Sequence, residues 1–440
     1  MTSFVGTRTL LRLAWRRDRW IIVASVLALV ATAYGSMAAT LGLYPTDAAA
    51  ASGAAVLVGN PSLTALYGPL PAATAAGIGV LKTVMMGSLF TAFLAFALVR
   101  RHTRSEEEDG RFELVAAGVV GRRAPLAAAV GLATMTVLAT GLLSALSLVT
   151  TGVDLTGSLS LGVVEVVAGL VMTGITAIAV QLTSTTRGAG GIAVGALGLA
   201  FLVRALADTA QGGGRHLVWL SFLGWAEQVS PFGANRLWLL LPALVATAAL
   251  LVVADLLLHR RDLGSGLWAA RPGPARASAR LGSPLGLAWR LQRGALLGWT
   301  IGYAVVGLAV GNIARSVDQI ASSPGIEEML RKMSGGQGAL VDAFFGTELR
   351  FLAIGAAAYG IAAALRLRSE ESSGRAEVVL AGSVSRGQWV ASHTLIAALG
   401  SLWLLAVVGT AAGLTAGAVS STGVGDLLDR KSTRLNSSHT

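Results

Sequence analysis

The chain contains no cysteine, so disulfides and thiolate metal sites are excluded. Charge is scarce as well. Only 13% of the 440 residues are charged, about half of the ~25% usual in soluble domains. With 54% hydrophobic residues and a mean hydropathy of +0.67, too little polar surface exists to enclose one soluble core. Acidic residues (23) are fewer than basic ones (34). On a soluble protein that excess would point to nucleic acid; here the arginines sit between long apolar runs, and the bilayer is the expected partner. Lysine is nearly absent. Lys82, Lys332 and Lys431 follow Leu, Arg and Arg, so no Gly-Lys-Ser/Thr phosphate loop exists. MSGGQ (333–337) resembles the signature loop of ABC ATPases but has no Walker partner. The five histidines show no metal-ligand spacing. No metal site and no catalytic constellation is expected; the chain is not itself an enzyme.

What remains is a set of long apolar runs. A helix needs about 20 apolar residues to cross a bilayer, and unpaired backbone cannot face lipid. Nine spans are expected, over 20–42, 77–99, 125–151, 159–181, 188–207, 236–258, 295–313, 349–367 and 390–417. With the N-terminus inside, the inner segments hold 23 of the 34 basic residues, whereas the outer loops hold Arg215, Arg315, Arg331 and Lys332. That asymmetry places the N-terminus in the cytoplasm. The first apolar run is too long for a typical signal peptide. TRTLLRLAWRRDRW (7–20) sets Leu10, Leu11, Ala14 and Trp15 on one face with arginines on much of the other, which predicts an interfacial helix on the inner leaflet.

RSEEEDGRFELVAAGVVGR (104–122) recurs as RSEESSGRAEVVLAGSVSR (368–386), with twelve of nineteen positions identical. LAWRRDR (13–19) returns as LAWRLQR (287–293), and TGVDL (151–155) as TGVGDL (422–427). Three matches in one order imply a tandem duplication. The expected layout is an all-α polytopic membrane protein: a first six-span half over 1–258, an Arg/Pro/Gly-rich cytoplasmic linker over 259–285, and a second half over 286–428 with three spans of six. The final DRKSTRLNSSHT (429–440) is hydrophilic, matches nothing in the first copy, and reads as one frame of a widely used short-read sequencing adapter. Natural sequence is therefore expected to end near Leu428.

In each copy the repeat joins the second span to the third. Ser105 and Ser369 stand where N-caps are expected, with Glu106, Glu107, Glu370 and Glu371 in the first turn; Gly118 and Gly382 fit the C′ position. One short cytoplasmic helix is predicted per copy, over 105–117 and 369–381. A solvated charged loop is the alternative. Recurrence of the acids while flanking sequence drifts favours a docking surface.

These residues match a family. The duplicated layout, the SEE…GR.E…AG loop, LGWAEQVSPFGANR (223–236) and RRDLGSGLWAARPGPAR followed by SPLGLAWRLQRG resemble actinobacterial ABC-exporter permeases, the tetronasin/polyketide-antibiotic type among type-2 ABC exporters. The resemblance covers 1–428. It implies fused membrane halves in a bacterial plasma membrane, exporting hydrophobic or amphiphilic small molecules such as polyketide antibiotics. It also implies a separate cytosolic ABC ATPase homodimer; ATP and Mg belong there, and this chain binds no cofactor. Ser105, Glu106, Glu107, Gly110, Arg111, Glu113 and Gly118, with Ser369, Glu370, Glu371, Gly374, Arg375, Glu377 and Gly382, would then form coupling helices seated in the ATPases. The segment 208–235 would be a re-entrant outer element.

Charged groups inside spans are functional candidates. Lys82 and Arg204 lie close enough to the outer ends of their helices to snorkel, and Asp255 is similarly near an inner end. Glu165 is deeper on a shorter side chain, and is the candidate for a polar group lining a substrate path. Gly191/Gly195 and Gly409/Gly413/Gly417 have the spacing of small-residue helix contacts. Two other functions compete. A proton-coupled major-facilitator transporter also has two six-span halves, but GVVGRR (118–123) lacks that family's acidic residue. A non-transporting membrane scaffold or immunity protein would bind no ATPase.

Overall fold

The computed structural model describes residues 3–58, 61–110, 118–210, 212–262, 264–268, 275–276, 278–321 and 352–417. Among them there is no strand. The chain forms two units, Met1–Pro272 and Gly273–Thr440.

The first unit opens with α1 (Thr7–Leu43). No glycine or proline interrupts residues 7–34, so the stretch expected to lie flat on the membrane continues into the first span as one helix of 37 residues. At 1.5 Å per residue it is about 55 Å long, nearly twice the ~30 Å hydrocarbon core. The separate interfacial helix is thereby corrected. Ala14, Asp18, Ile22 and Val26 recur every fourth residue on its buried stripe. Two short helices, α2 (Asp47–Val58) and α3 (Pro61–Tyr67), precede α4 (Ala75–Arg100), which Thr74 caps through Gly77 N–H. A π turn over Arg101–Ser105 extends α4 to Glu108. Then follow α5 (Ala124–Val149), α6 (Leu155–Leu182), α7 (Thr186–Thr209), a 3-10 segment (Gly212–Leu220), α8 (Phe222–Gln228) and α9 (Leu240–His259).

The hub is α6. Its residues are mostly buried, and it packs on α4, α5, α7 and α9. Glycine lets the backbones approach. A Cβ on Gly162 would lie 2.5 Å from the Gly141 carbonyl oxygen, and one on Gly141 equally close to that of Gly162. The helix-contact glycines expected from spacing are elsewhere: Gly191, Gly195, Gly409 and Gly413 face open space. With glycine this frequent, i,i+4 spacing alone carried no contact information. Gly162→Ala is therefore expected to push α5 from α6 and cost about 1–3 kcal/mol. Gly191→Ala should leave the thermal midpoint in detergent unchanged or raised. Unfolding curves of the two variants check this.

The second unit contains α10 (Pro284–Ala321), α11 over 352–364, α12 (Arg366–Ser372), α13 (Arg375–Leu380) and α14 (Arg386–Gly417). Its core joins Leu296 and Tyr303 to Tyr359, Leu404 and Val408. The Tyr303 hydroxyl donates to Leu352 O at 2.7 Å, and the Trp403 indole donates to Thr300 at 3.0 Å.

Among the described residues, seven helices are long and apolar enough to cross a membrane. They match seven of the nine expected spans. The other two, 295–313 and 349–367, fall within α10 and around α11; residues 349–351 lie outside the described residues, as do MSGGQ and 429–440.

Candidate functional site

The repeat expected to form docking helices sits, in the first unit, at the end of the bundle where α1 begins. Ser105 is not a cap. It has helical backbone angles, makes no capping bond, and lies inside the extension of α4. The helix was expected to start there, but the preceding span never stops. It stops instead at Gly110, whose φ of 72° is the left-handed conformation that favours glycine. Arg111 and Glu113 lie outside the described residues.

Each of the three glutamates is tied to a neighbouring element, although Glu108 stays exposed. Glu106 pairs with Arg17 of α1. Glu108 accepts the Thr186 backbone N–H at 2.7 Å, at the start of α7. Glu107 is held between two arginines: Arg261 binds both its oxygens at 2.6 and 2.9 Å, and Arg104 donates at 2.7 Å. Arg104 also donates to Val180 O and Ser265 O, and Arg261 to Gln181 at 2.6 Å. One carboxylate therefore ties the α4 extension to the end of α6 and to the segment after α9. Asp18, buried on α1, receives Arg101 at 2.6 Å and stands 2.9 Å from His102 Nε2.

The following loop is anchored too. Arg123 grips Asp255 of α9 through two contacts of 2.6 Å, and Arg122 donates to Leu258 O at 3.0 Å. Asp255, read from sequence as a lone charge near a helix end, is thus a paired one. The chain start straps this loop: Gly121 N–H donates to Val5 O at 2.9 Å and Arg123 N–H to Ser3 O at 3.0 Å. A Cβ on Gly121 would lie 2.3 Å from Ser3 O, so that glycine is required by close approach.

In the second unit the repeat is more open. Ser369 again lies within a helix and caps nothing. Instead of one helix over 369–381 there are two, α12 and α13, broken at Gly374 with φ 70°. Gly374 is the repeat counterpart of Gly110, and both take the left-handed conformation. Glu370 is buried and gathers Arg366 and Arg375 at 3.0 Å each. Glu371, Glu377 and Val378 are exposed. Gly382 follows the end of α13, as a residue after a helix should, and Gly118 falls in a bend.

At the opposite end of the first unit lies a cluster that the depth reasoning passed over. Arg204 of α7 does not snorkel; it is wholly buried. It reaches Asp208 at 3.0 Å and Glu227 of α8 at 3.5 Å. It also donates to the carbonyls of Thr64, Ala65 and Leu66 at 3.4, 2.9 and 3.3 Å, so it caps the C-terminal turn of α3. Lys82 is exposed and stands 5.8 Å over the Tyr67 ring. After α8 the chain makes a strained turn, with Ser230, Phe232 and Asn235 all at positive φ. It is locked where Phe232 N–H donates to the Asn235 side chain at 2.9 Å and Arg236 N–H to Val229 O at 2.8 Å. A cavity of about 150 Å³ lies between this turn, α8, α4 and the loop after α3.

Glu165 is 1% exposed on α6. Its Oε1 lies 3.1 Å from the place of a Cβ on Gly87 of α4, and Oε2 has no hydrogen-bond partner among the described residues. It does not line the cavity beside Glu227.

Two comparisons bear on this arrangement. A family model described as the C-terminal domain of the multidrug efflux system permease Rv1217c matches residues 281–432. The multidrug efflux system permease protein Rv1217c of Mycobacterium tuberculosis (strain ATCC 25618 / H37Rv) is 40% identical over 422 residues, covering 94% of this chain and 75% of the relative.

Proposed function

The chain belongs to the family of the multidrug efflux permease Rv1217c, and from that premise we propose that it is the membrane subunit of an ATP-driven ABC exporter for hydrophobic or amphiphilic compounds, polyketide antibiotics among them. ATP and Mg act in a separate cytosolic ATPase homodimer. The N-terminus lies in the cytoplasm and the bundle in a bacterial plasma membrane.

The observation that carries this reading is the exposed pair α12 and α13, broken at Gly374 and presenting Glu371, Glu377 and Val378. A compact helical knob with an apolar tip and flanking acids suits a groove in a basic partner. The first copy contributes differently. Its glutamates fasten the α4 extension to α1, α6, α7 and the segment after α9, so a push there would reach four elements at once. Glu165 remains the candidate polar group on the substrate path.

Tagged chain purified from its native host is expected to co-purify a Walker-motif protein. Inverted membrane vesicles should take up the amphiphile Hoechst 33342 on adding ATP, with vanadate abolishing uptake. Glu371→Lys with Glu377→Lys should cut capture and uptake by about tenfold or more, a loss of ~1.4 kcal/mol. Uptake abolished by a protonophore yet indifferent to vanadate would instead support a proton-coupled transporter. Absence of both capture and uptake would support a scaffold.

A further inference from the structure

Arg204, Asp208 and Glu227 are buried together, their side chains 0%, 5% and 3% exposed. One guanidinium faces two carboxyl groups, so with both ionised the cluster holds one uncompensated negative charge. Buried charges of that kind are neutralised or paired. Both carboxyls reach the same nitrogen, Arg204 Nη1, so the two acids stand close to each other. Two buried anions crowded on one donor repel, which favours a proton on one of them. Glu227 is the better holder. Arg204 is nearer to Asp208, and Glu227 Oε1 receives no donor among the described residues.

We propose that Arg204, Asp208 and Glu227 form a single-proton site, and that its proton latches α3 and α8 onto α7.

With the proton in place, the two acids no longer repel and Arg204 stays free to cap the three carbonyls of α3. Without it, two adjacent anions repel and compete for the same guanidinium, and α8 separates from α7. The charged groups placed near the site are Arg215 on the 3-10 segment, Arg236 after the turn, which lines the cavity, and Lys82 of α4, over the Tyr67 ring. Arg215 adds a weaker pull on Asp208. The cavity gives the proton a route. It is lined by Tyr67, Pro71, Glu227, Gln228, Ser230 and Arg236, and at about 150 Å³ it has room for water beside the carboxyl.

Burial first, then the neighbouring Asp208 charge, push the Glu227 carboxyl well above its ordinary 4.5, while Arg204 pulls the other way. The sign follows. A raised carboxyl favours the latched state on the acid side, and that contribution is lost as pH rises through the elevated value.

The absence of cysteine makes the test direct. Leu81, buried on the cavity wall, becomes the sole thiol in Leu81→Cys; exposed Ser52 serves as reference in a separate Ser52→Cys chain. Maleimide labelling of both full-length proteins in detergent gives a rate ratio that cancels thiolate chemistry. The ratio is expected to climb with pH at a slope approaching about tenfold per unit, the signature of one proton. Glu227→Gln and Asp208→Asn each remove the need to share a proton and should hold the ratio within about twofold. Hydrogen exchange over 61–68, corrected for the intrinsic rate, reads the same opening in the cysteine-free chain. A pH-independent ratio and exchange in the unaltered latch, or a slope surviving both amide variants, overturns the proposal.

Discussion

Arg204→Met is expected to detach α3 and α8 from α7 and to lower stability by about 3–5 kcal/mol, the cost of breaking a buried ion pair from one side. Arg204 is wholly buried, so solvent screening does not soften the loss. Methionine matches the length of the stem but leaves Asp208, Glu227 and the carbonyls of Thr64, Ala65 and Leu66 without their donor. Arg204→Lys should fail almost as badly. A compact ammonium cannot serve acceptors spread over two helices and a helix end as a planar fork does. The check is hydrogen exchange by segment: protection should fall over 61–68 and 222–228 and persist in α6. A further prediction separates lost attraction from stranded charge. Adding Asp208→Asn and Glu227→Gln to Arg204→Met should recover part of the lost stability, because most of the penalty lies in the buried anion left behind. If the triple variant is no better than Arg204→Met alone, the three groups do not act as a unit.

Much of the architecture was legible in the sequence, and what was missed was missed for definite physical reasons. Apolar run length located seven helices that meet the requirement for crossing, since length and hydropathy are local properties. The division of α1 into a flat helix and a span failed because amphipathicity describes faces, not bends; the absence of any breaker between residues 7 and 34 was the better signal. Ser105 and Ser369 had the right residue type for caps, but a cap needs a helix to begin there, and in both copies one was already running. The cluster around Arg204 was hidden by treating each span as alone in lipid. Depth predicts snorkelling only for a side chain with lipid beside it, and Arg204 has α3 and α8. The Arg204/Asp208 pair at i,i+4 was visible, and by helix geometry it marked a shared face. Glu227 gave no such signal, since it lies in a short helix whose docking depends on contacts far along the chain.

The same logic predicts a second large effect at the other end of the first unit. Glu107→Ala would leave Arg104 and Arg261 facing each other, both nearly inaccessible to water. Removing the shared carboxylate should therefore cost about 3–5 kcal/mol, with repulsion added to the lost bonds. Glu106→Ala should cost only about 0–1 kcal/mol. Its partner Arg17 is partly exposed, with 36% of its side chain accessible, so water can take over. Neighbouring acids with the same sequence appearance are thus expected to differ severalfold in effect, because one is a hub and the other a surface pair. Thermal midpoints in detergent check the ranking, and hydrogen exchange after α9 checks the location. Arg261→Met in the Glu107→Ala background should restore part of the loss by removing one of the stranded cations. Transport supplies the functional arm. If the α4 extension transmits force, Glu107→Ala must impair Hoechst uptake at temperatures where the protein remains folded, and Arg261→Met must not rescue uptake as it rescues stability. Recovery of both together would reduce Glu107 to a structural tie and leave the second unit's exposed knob as the only coupling surface.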